Sequence, residues 1–141
     1  MLRRVLVGWM MVLFAWTLLA CGGDQDRPKA PPSLTSFSEV ASCLQEKGRL
    51  PENFITKSEA RKRGWDPARG NLWDVAPGRS IGGDVFHNRE GKLPHRPGRI
   101  WYEADIGYRG GRRTPWRIVF SNDGQIYKTE DHYRTFSRIN P

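Results

Sequence analysis

The chain has 141 residues, enough for one hydrophobic core of ordinary size and too few for a second independent one. With 38% hydrophobic and 27% charged residues it has the balance of a folding globular domain rather than of a disordered tail or a membrane bundle. A formal net charge of +8 makes a polyanion the natural partner, and charge alone does not choose among RNA, DNA, anionic lipid and cell-wall polymer.

At the start of the chain, Arg3 and Arg4 precede an almost wholly apolar run over residues 5–20, which reads as an export signal. The run is short for a membrane span, which needs about 20 residues. It ends Leu18-Leu19-Ala20-Cys21, similar to the bacterial lipobox, where the peptide is cut before a lipidated cysteine. The alternative is an ordinary small-x-small cleavage site, although Leu18 stands where a small residue is wanted. Lipid on Cys21 would make the protein exported, either extracellular or anchored to the cell envelope. Removal of residues 1–20 takes away two of the 23 basic residues and none of the 15 acidic ones, so the mature chain keeps a net charge of +6. With Cys21 acylated, Cys43 is left as a buried thiol; without acylation a Cys21 to Cys43 disulfide is open.

Residues 21–35, with the Gly- and Pro-rich stretch GGDQDRPKAPP, read as a flexible tether, and the domain is expected over residues 36–141. Ser36 and Glu39 form a capping box ahead of Phe37, Val40, Ala41 and Leu44 at helical spacing, with Gly48 as the stop. A second box, Thr56 with Glu59, opens a helix ending by Gly64 and sets Lys57 in its first turn, beside the positive end of the helix dipole. Residues 71–76 could be a short third helix before Pro77-Gly78, and residues 78–83 read as a glycine-marked bend at a strand. Residues 100–106 then alternate, with Trp101, Glu103 and Asp105 on one face and Ile100, Tyr102, Ala104 and Ile106 on the other. Residues 116–121 and 125–129 make two further strands joined at Asn122-Asp123-Gly124. Helices first and strands second predict an α+β domain, its N-terminal helices packed on one face of a twisted antiparallel sheet and the other face free to bind.

From Leu50 to Ile139 the chain resembles the barnase-like bacterial guanyl-preferring ribonucleases. The resemblance rests on Ile55-Thr56-Lys57-Ser58-Glu59-Ala60, Asp74-Val75-Ala76-Pro77-Gly78, Ser80-Ile81-Gly82-Gly83-Asp84 and Asn88-Arg89-Glu90-Gly91-Lys92-Leu93-Pro94. It extends through Trp101-Tyr102-Glu103-Ala104-Asp105-Ile106 and Tyr127-Lys128-Thr129-Glu130-Asp131-His132-Tyr133. It implies the microbial ribonuclease fold and an endoribonuclease that cuts single-stranded RNA after guanosine, leaving a 2′,3′-cyclic phosphate. It also implies that Glu103 is the general base and His132 the general acid, a pair that needs no metal and gives a rate bell-shaped in pH. Taken alone, Glu103 would be a strand carboxylate paired with an arginine and His132 a solvated loop histidine.

By the same resemblance Lys57, Arg113 and Arg117 hold phosphate and the transition-state charge, and Asp105 fixes the guanidiniums. Phe86, His87, Asn88, Arg89 and Glu90 match the loop that recognises guanine through main-chain N–H groups and a glutamate, here Glu90. Tyr133 would offer an aromatic face or a hydroxyl; the alternative for Phe86 and Tyr133 is core packing. His87 and Arg112 depart from the family, which carries serine and an aromatic residue there, and bear on how strict the guanine preference is. Arg109, Arg112 and Lys128 read as solvated charges. His87, His95 and His132 have no metal-ligand spacing, so no metal and no cofactor are expected. The expected partners are RNA, a membrane through lipid on Cys21, and an acidic inhibitor resembling barstar, with the chain itself a monomer. The contrasting reading is a non-catalytic envelope lipoprotein that binds anions or nucleic acid.

Overall fold

The computed structural model describes residues 33–140, so the expected signal peptide, Cys21 and the tether up to residue 32 lie outside the described residues. Among the described residues three helices, α1 (Phe37–Lys47), α2 (Lys57–Lys62) and α3 (Leu72–Val75), accompany six strands. These are β1 (Phe54–Ile55), β2 (Ser80–Phe86), β3 (Trp101–Asp105), β4 (Arg117–Ser121), β5 (Ile126–Thr129) and β6 (Ser137–Arg138). The fold is α+β, and the strands lie in the sheet in chain order. Every pairing is antiparallel except β1 with β2, which is parallel because the connection between them runs through α2 and α3.

Both capping boxes form. Ser36 Oγ accepts from the Glu39 N–H at 3.2 Å while Glu39 Oε2 accepts from the Ser36 N–H at 3.0 Å, and Thr56 and Glu59 repeat the exchange at 3.2 and 2.7 Å. Gly48 ends α1 at φ 65°, in the left-handed region glycine enters at least cost. Residues 33–35, expected within the tether, are bonded to the domain. Ser33 Oγ donates to the Gly78 carbonyl, Asn53 Nδ2 donates to the Leu34 carbonyl, and the Gly107 N–H donates to that of Thr35.

Val40, Ala41 and Leu44 of α1 pack on Ala104, Ile106, Ile118 and Ile126 of the sheet. A second core joins Ala60, Trp65, Leu72 and Ala76 to Ile55, Ile81 and Tyr108 around the parallel pair. Cys43 is buried, its thiol donating to the Arg49 carbonyl. The opposite sheet face, expected to be free, carries a smaller core of Leu93, Trp101 and Val119 covered by Phe86, Tyr127, Tyr133 and Phe136. The loops after β2 and β5 fold over that end of the sheet and border the cleft in which Glu103 lies.

Glycine marks the turn between β2's two halves. The β2–β3 register shifts between Gly82 and Asp84, with Gly83 at φ 97°, so the bend read in the sequence is a bulge that re-aims Asp84. A Cβ on Gly82 would stand 2.6 Å from Phe54 Cδ1 and 2.7 Å from the Ala104 Cβ, where strand and helix-side core close on each other. Gly82→Ala is therefore expected to cost about 1–3 kcal/mol through overpacking, read as a lower midpoint in urea unfolding with an unchanged slope.

Candidate active site

Alternation on β3 sends Glu103 and Asp105 to the side of the sheet away from α1, and the register sets Asp105 opposite Arg117 of β4. The Glu103 carboxylate is buried at 7% exposure. Lys57 Nζ, reaching across from the first turn of α2, lies 2.7 Å from its Oε1, and the Tyr133 hydroxyl donates to Oε2 at 2.5 Å. Asp84, redirected by the bulge, accepts the Lys57 main-chain N–H at 3.0 Å and so holds the start of α2 against the sheet. The carboxylate keeps unused lone pairs, since an ionised carboxylate has about four acceptor positions. Burial, then the bond to Glu103, pushes the Tyr133 phenol far above its ordinary pKa, so Tyr133 stays a neutral donor.

Beside this pair lies an arginine cluster. Asp105, 1% exposed, takes Arg113 Nε at 2.6 Å and Nη2 at 2.7 Å, and Arg117 Nε stands 3.0 Å from its Oδ1. Burial works against the Arg113 charge, but the Asp105 bond together with the charge interactions with Asp105, Tyr133 and Glu103 outweighs it and raises its pKa. Arg113 Nη1 has no protein acceptor among the described residues, and a quarter of the side chain is exposed. Arg117 is more deeply placed: Nε also donates to the Tyr133 hydroxyl at 3.1 Å, and Nη1 donates to the Thr114 and Trp116 carbonyls. Only its Nη2 lacks a partner in the described protein. The expected trio of phosphate ligands thus divides into two accessible cations, Lys57 and Arg113, and one that stiffens the floor.

His132 is exposed and tilts against Tyr133, with ring centroids 5.0 Å apart, while its N–H donates to the Pro115 carbonyl at 3.2 Å. Both residues hold positive φ, 56° and 69°, an arrangement that persists only where the surroundings enforce it. Asp131 supplies the enforcement. Its Oδ1 accepts from Thr129 Oγ1 at 2.9 Å and from the Arg134 and Thr135 N–H groups at 3.1 and 2.9 Å, and its Oδ2 accepts from Thr135 Oγ1 at 2.6 Å. These bonds, the Thr135 hydroxyl first, hold its carboxyl well below the usual carboxylate range. A depressed folded pKa stabilises above the unfolded value of about 3.9 and the contribution fades as pH falls below it, so Asp131→Ala should lose less stability than the parent between about pH 5 and pH 2. Urea unfolding at the two pH values measures this, and equal losses would show that Asp131 is not the titrating clasp.

Phe86 stacks on Tyr133 at 5.3 Å and 15°, and a cleft of about 440 Å³ opens over them, lined by Lys57, residues 85–90, Lys92, Glu103, Tyr133 and Phe136. His87 and Arg89 are exposed on the loop. Asn88, at φ 48°, spends its side chain on both polar groups of Leu93, donating to the carbonyl at 2.9 Å and accepting from the N–H at 3.0 Å, and its main-chain carbonyl accepts from the Gly91 N–H, which together shape the loop. Glu90 is three-quarters exposed and pairs with Lys92 Nζ at 2.8 Å. Lys92, which sequence reasoning left out, also donates to the Tyr133 and Arg134 carbonyls at 3.2 and 3.0 Å and straps the base loop to the His132 loop. Asp84 and Asp131 were missed as well. The only sequence signal for Asp131 was a threonine two residues before it and another four residues after it, a spacing that suits side-chain to backbone turns.

A family model described as ribonuclease matches residues 38–140. The chain is 57% identical over 106 residues to a ribonuclease of Heyndrickxia coagulans, an alignment covering 75% of this chain and 97% of that protein. Ribonucleases of Bacillus intermedius and Bacillus pumilus match at the same identity over the same length, and there the alignment spans 65% of each relative. With the buried Glu103, its cationic neighbours and the loop-lined cleft, these matches make the chain a member of the barnase-like bacterial ribonucleases, an RNA-cleaving enzyme.

Proposed function

We propose that the protein is an endoribonuclease that cuts single-stranded RNA on the 3′ side of guanosine by transphosphorylation, without a metal. The observation that carries the reading is the buried Glu103 carboxylate between Lys57 Nζ and the Tyr133 hydroxyl on the floor of the cleft. Glu103 takes the proton of the 2′-hydroxyl, whose oxygen forms a bond to the adjacent phosphorus. The bond from phosphorus to the 5′-oxygen breaks, and His132 protonates that oxygen as it leaves. The products are a 2′,3′-cyclic phosphate and a 5′-hydroxyl. Lys57 and Arg113 meet the charge gathering on the phosphoryl oxygens, and Arg117 keeps Asp105 and Tyr133 in place. Guanine sits on the main chain of residues 86–89, and Glu90 exchanges Lys92 for the hydrogens on the Watson–Crick edge of the base. Residues 1–20 serve as an export signal and Cys21 carries lipid, so the monomeric enzyme acts outside the cytoplasm, with an acidic inhibitor protecting the producing cell.

The test uses two RNA oligonucleotides containing one guanosine, identical except that one has 2′-deoxyguanosine. In excess chelator the ribose substrate should be cut after guanosine, with the cyclic phosphate seen by mass spectrometry, and the deoxy substrate should bind yet stay intact. Cutting at the deoxy linkage would mean another nucleophile attacks phosphorus. Loss of cutting in chelator would mean a metal takes part. Binding without cleavage of either would favour the non-catalytic reading.

A further inference from the structure

A second basic pocket of about 280 Å³ lies on the other side of the base loop, lined by residues 85–88, His95, Arg96 and residues 99–101. It shares residues 85–88 with the catalytic cleft, so the two are separated only by the root of the loop. Phe86 pairs with Trp101 in the β2–β3 register, which sets the junction opposite one defined position of β3. Along one face of β3 the sites then follow in line: Asp105 with its arginines, Glu103 in the cleft, and Trp101 at the second pocket, with Ile100 just before the strand. Glu103 and Trp101 are two residues apart, about 7 Å at strand rise.

The lining has two halves. Val85 and Ile100, 47% and 44% exposed, form an apolar wall beside the charged rim. His87, His95 and Arg96 supply the polar rim, all exposed, with 71% of the Arg96 side chain open to solvent. Arg99 is structural: it clasps the Asp123 carboxylate with Nε and Nη2, donates to the Pro94 carbonyl through Nη1 and lies over the Trp101 ring. Its pairing neutralises the Asp123 carboxylate, from which Arg96 stands 3.8 Å away without a hydrogen bond. Apolar wall and cationic rim together suit one nucleotide, its sugar or base on Val85 and Ile100 and its phosphate on the rim.

Resting on the function proposed above, we infer that this pocket holds the nucleotide immediately 5′ of the bound guanosine. The scissile phosphate and the leaving 5′-oxygen belong to the Glu103 and His132 side. The chain on the 3′ side therefore departs past His132, and the guanosine's own 5′-phosphate emerges beyond the base loop, where His95 and Arg96 wait. His95 and Arg96 are positioning and specificity residues for longer substrates and take no part in bond breaking.

The experiment compares cleavage of a dinucleotide with guanosine at its 5′ end against a trinucleotide carrying one further nucleotide 5′ of that guanosine. It uses the parent protein, the double variant His95→Ala with Arg96→Ala, and Arg109→Ala as a control cation elsewhere on the surface. The parent should gain about tenfold in kcat/KM from the extension, carried by KM, and the double variant should lose that gain while cutting the dinucleotide at the parent's rate. Arg109→Ala should keep the gain. No gain in the parent, an undiminished gain in the double variant, or an equal loss in Arg109→Ala would each overturn the inference. Binding of the same two lengths as uncut 2′-deoxy oligonucleotides reports the site independently of turnover. A parent that leaves the dinucleotide whole yet binds the extended oligonucleotide more tightly than the double variant does would therefore sink the proposed reaction and keep the pocket.

Discussion

Replacing Glu103 by glutamine should lower RNA cleavage by about 10²- to 10⁴-fold while the protein stays folded. The amide matches the carboxylate in shape and accepts from Tyr133 or Lys57 through its one oxygen, but it takes up no proton at neutral pH. The cost to folding should be small by comparison, because Lys57, with 29% of its side chain exposed, regains water when its partner loses charge. His132→Ala should give a fall of similar size with still less effect on stability, since the ring is exposed and touches only Tyr133 among the aromatic groups. In the proposed mechanism base and acid act in one step, so the double variant should lose less than the product of the two single losses. Initial rates on a guanosine-containing oligonucleotide, set beside unfolding midpoints, give the answer. Near-parental turnover in Glu103→Gln would remove the carboxylate from the chemistry and leave it a partner for Lys57.

Asp105→Asn should be the most destabilising single change in the site, by about 3–5 kcal/mol, because it leaves two guanidiniums facing each other across a neutral amide. Asp105 is 1% exposed and the Arg117 side chain 3%, so water cannot replace the lost charge as it can at Lys57. Against a total stability of about 5–15 kcal/mol for a domain, such a loss brings partial unfolding within reach of mild heating. Arg117→Met placed on the same background should recover part of it by removing the stranded cation, a sign opposite to simple addition of two damages. Thermal and urea unfolding of the four proteins measure the coupling. Additive losses would show that the buried pair is not the element that holds β3 to β4 at this end.

Much of the local architecture was already legible in the residues. Ser36 with Glu39 and Thr56 with Glu59 build their caps from groups three positions apart, so the chain needs no distant partner to form them. The alternation of β3 separates Ala104 from Glu103 and Asp105 for the same reason: a strand's period of two is a property of the backbone. Family likeness implied the roles proposed for Glu103, His132 and the base loop, where spacing alone suggested an ion pair and a surface histidine. Strands β1 and β6 were not legible, because two residues carry no periodicity, and Gly82-Gly83 hid β2 by breaking its pattern. The partners of the site were equally out of reach. Lys57 meets Glu103 across 46 positions, Tyr133 meets it across 30, and Lys92 reaches the Tyr133 carbonyl across 41. Packing of α2 and of two loops against the sheet selects those contacts, and it also decides that Arg113 faces outward while Arg117 spends its donors within the protein. Two arginines of identical chemistry thereby receive different work from burial, a property that belongs to the folded surface and to no residue taken by itself.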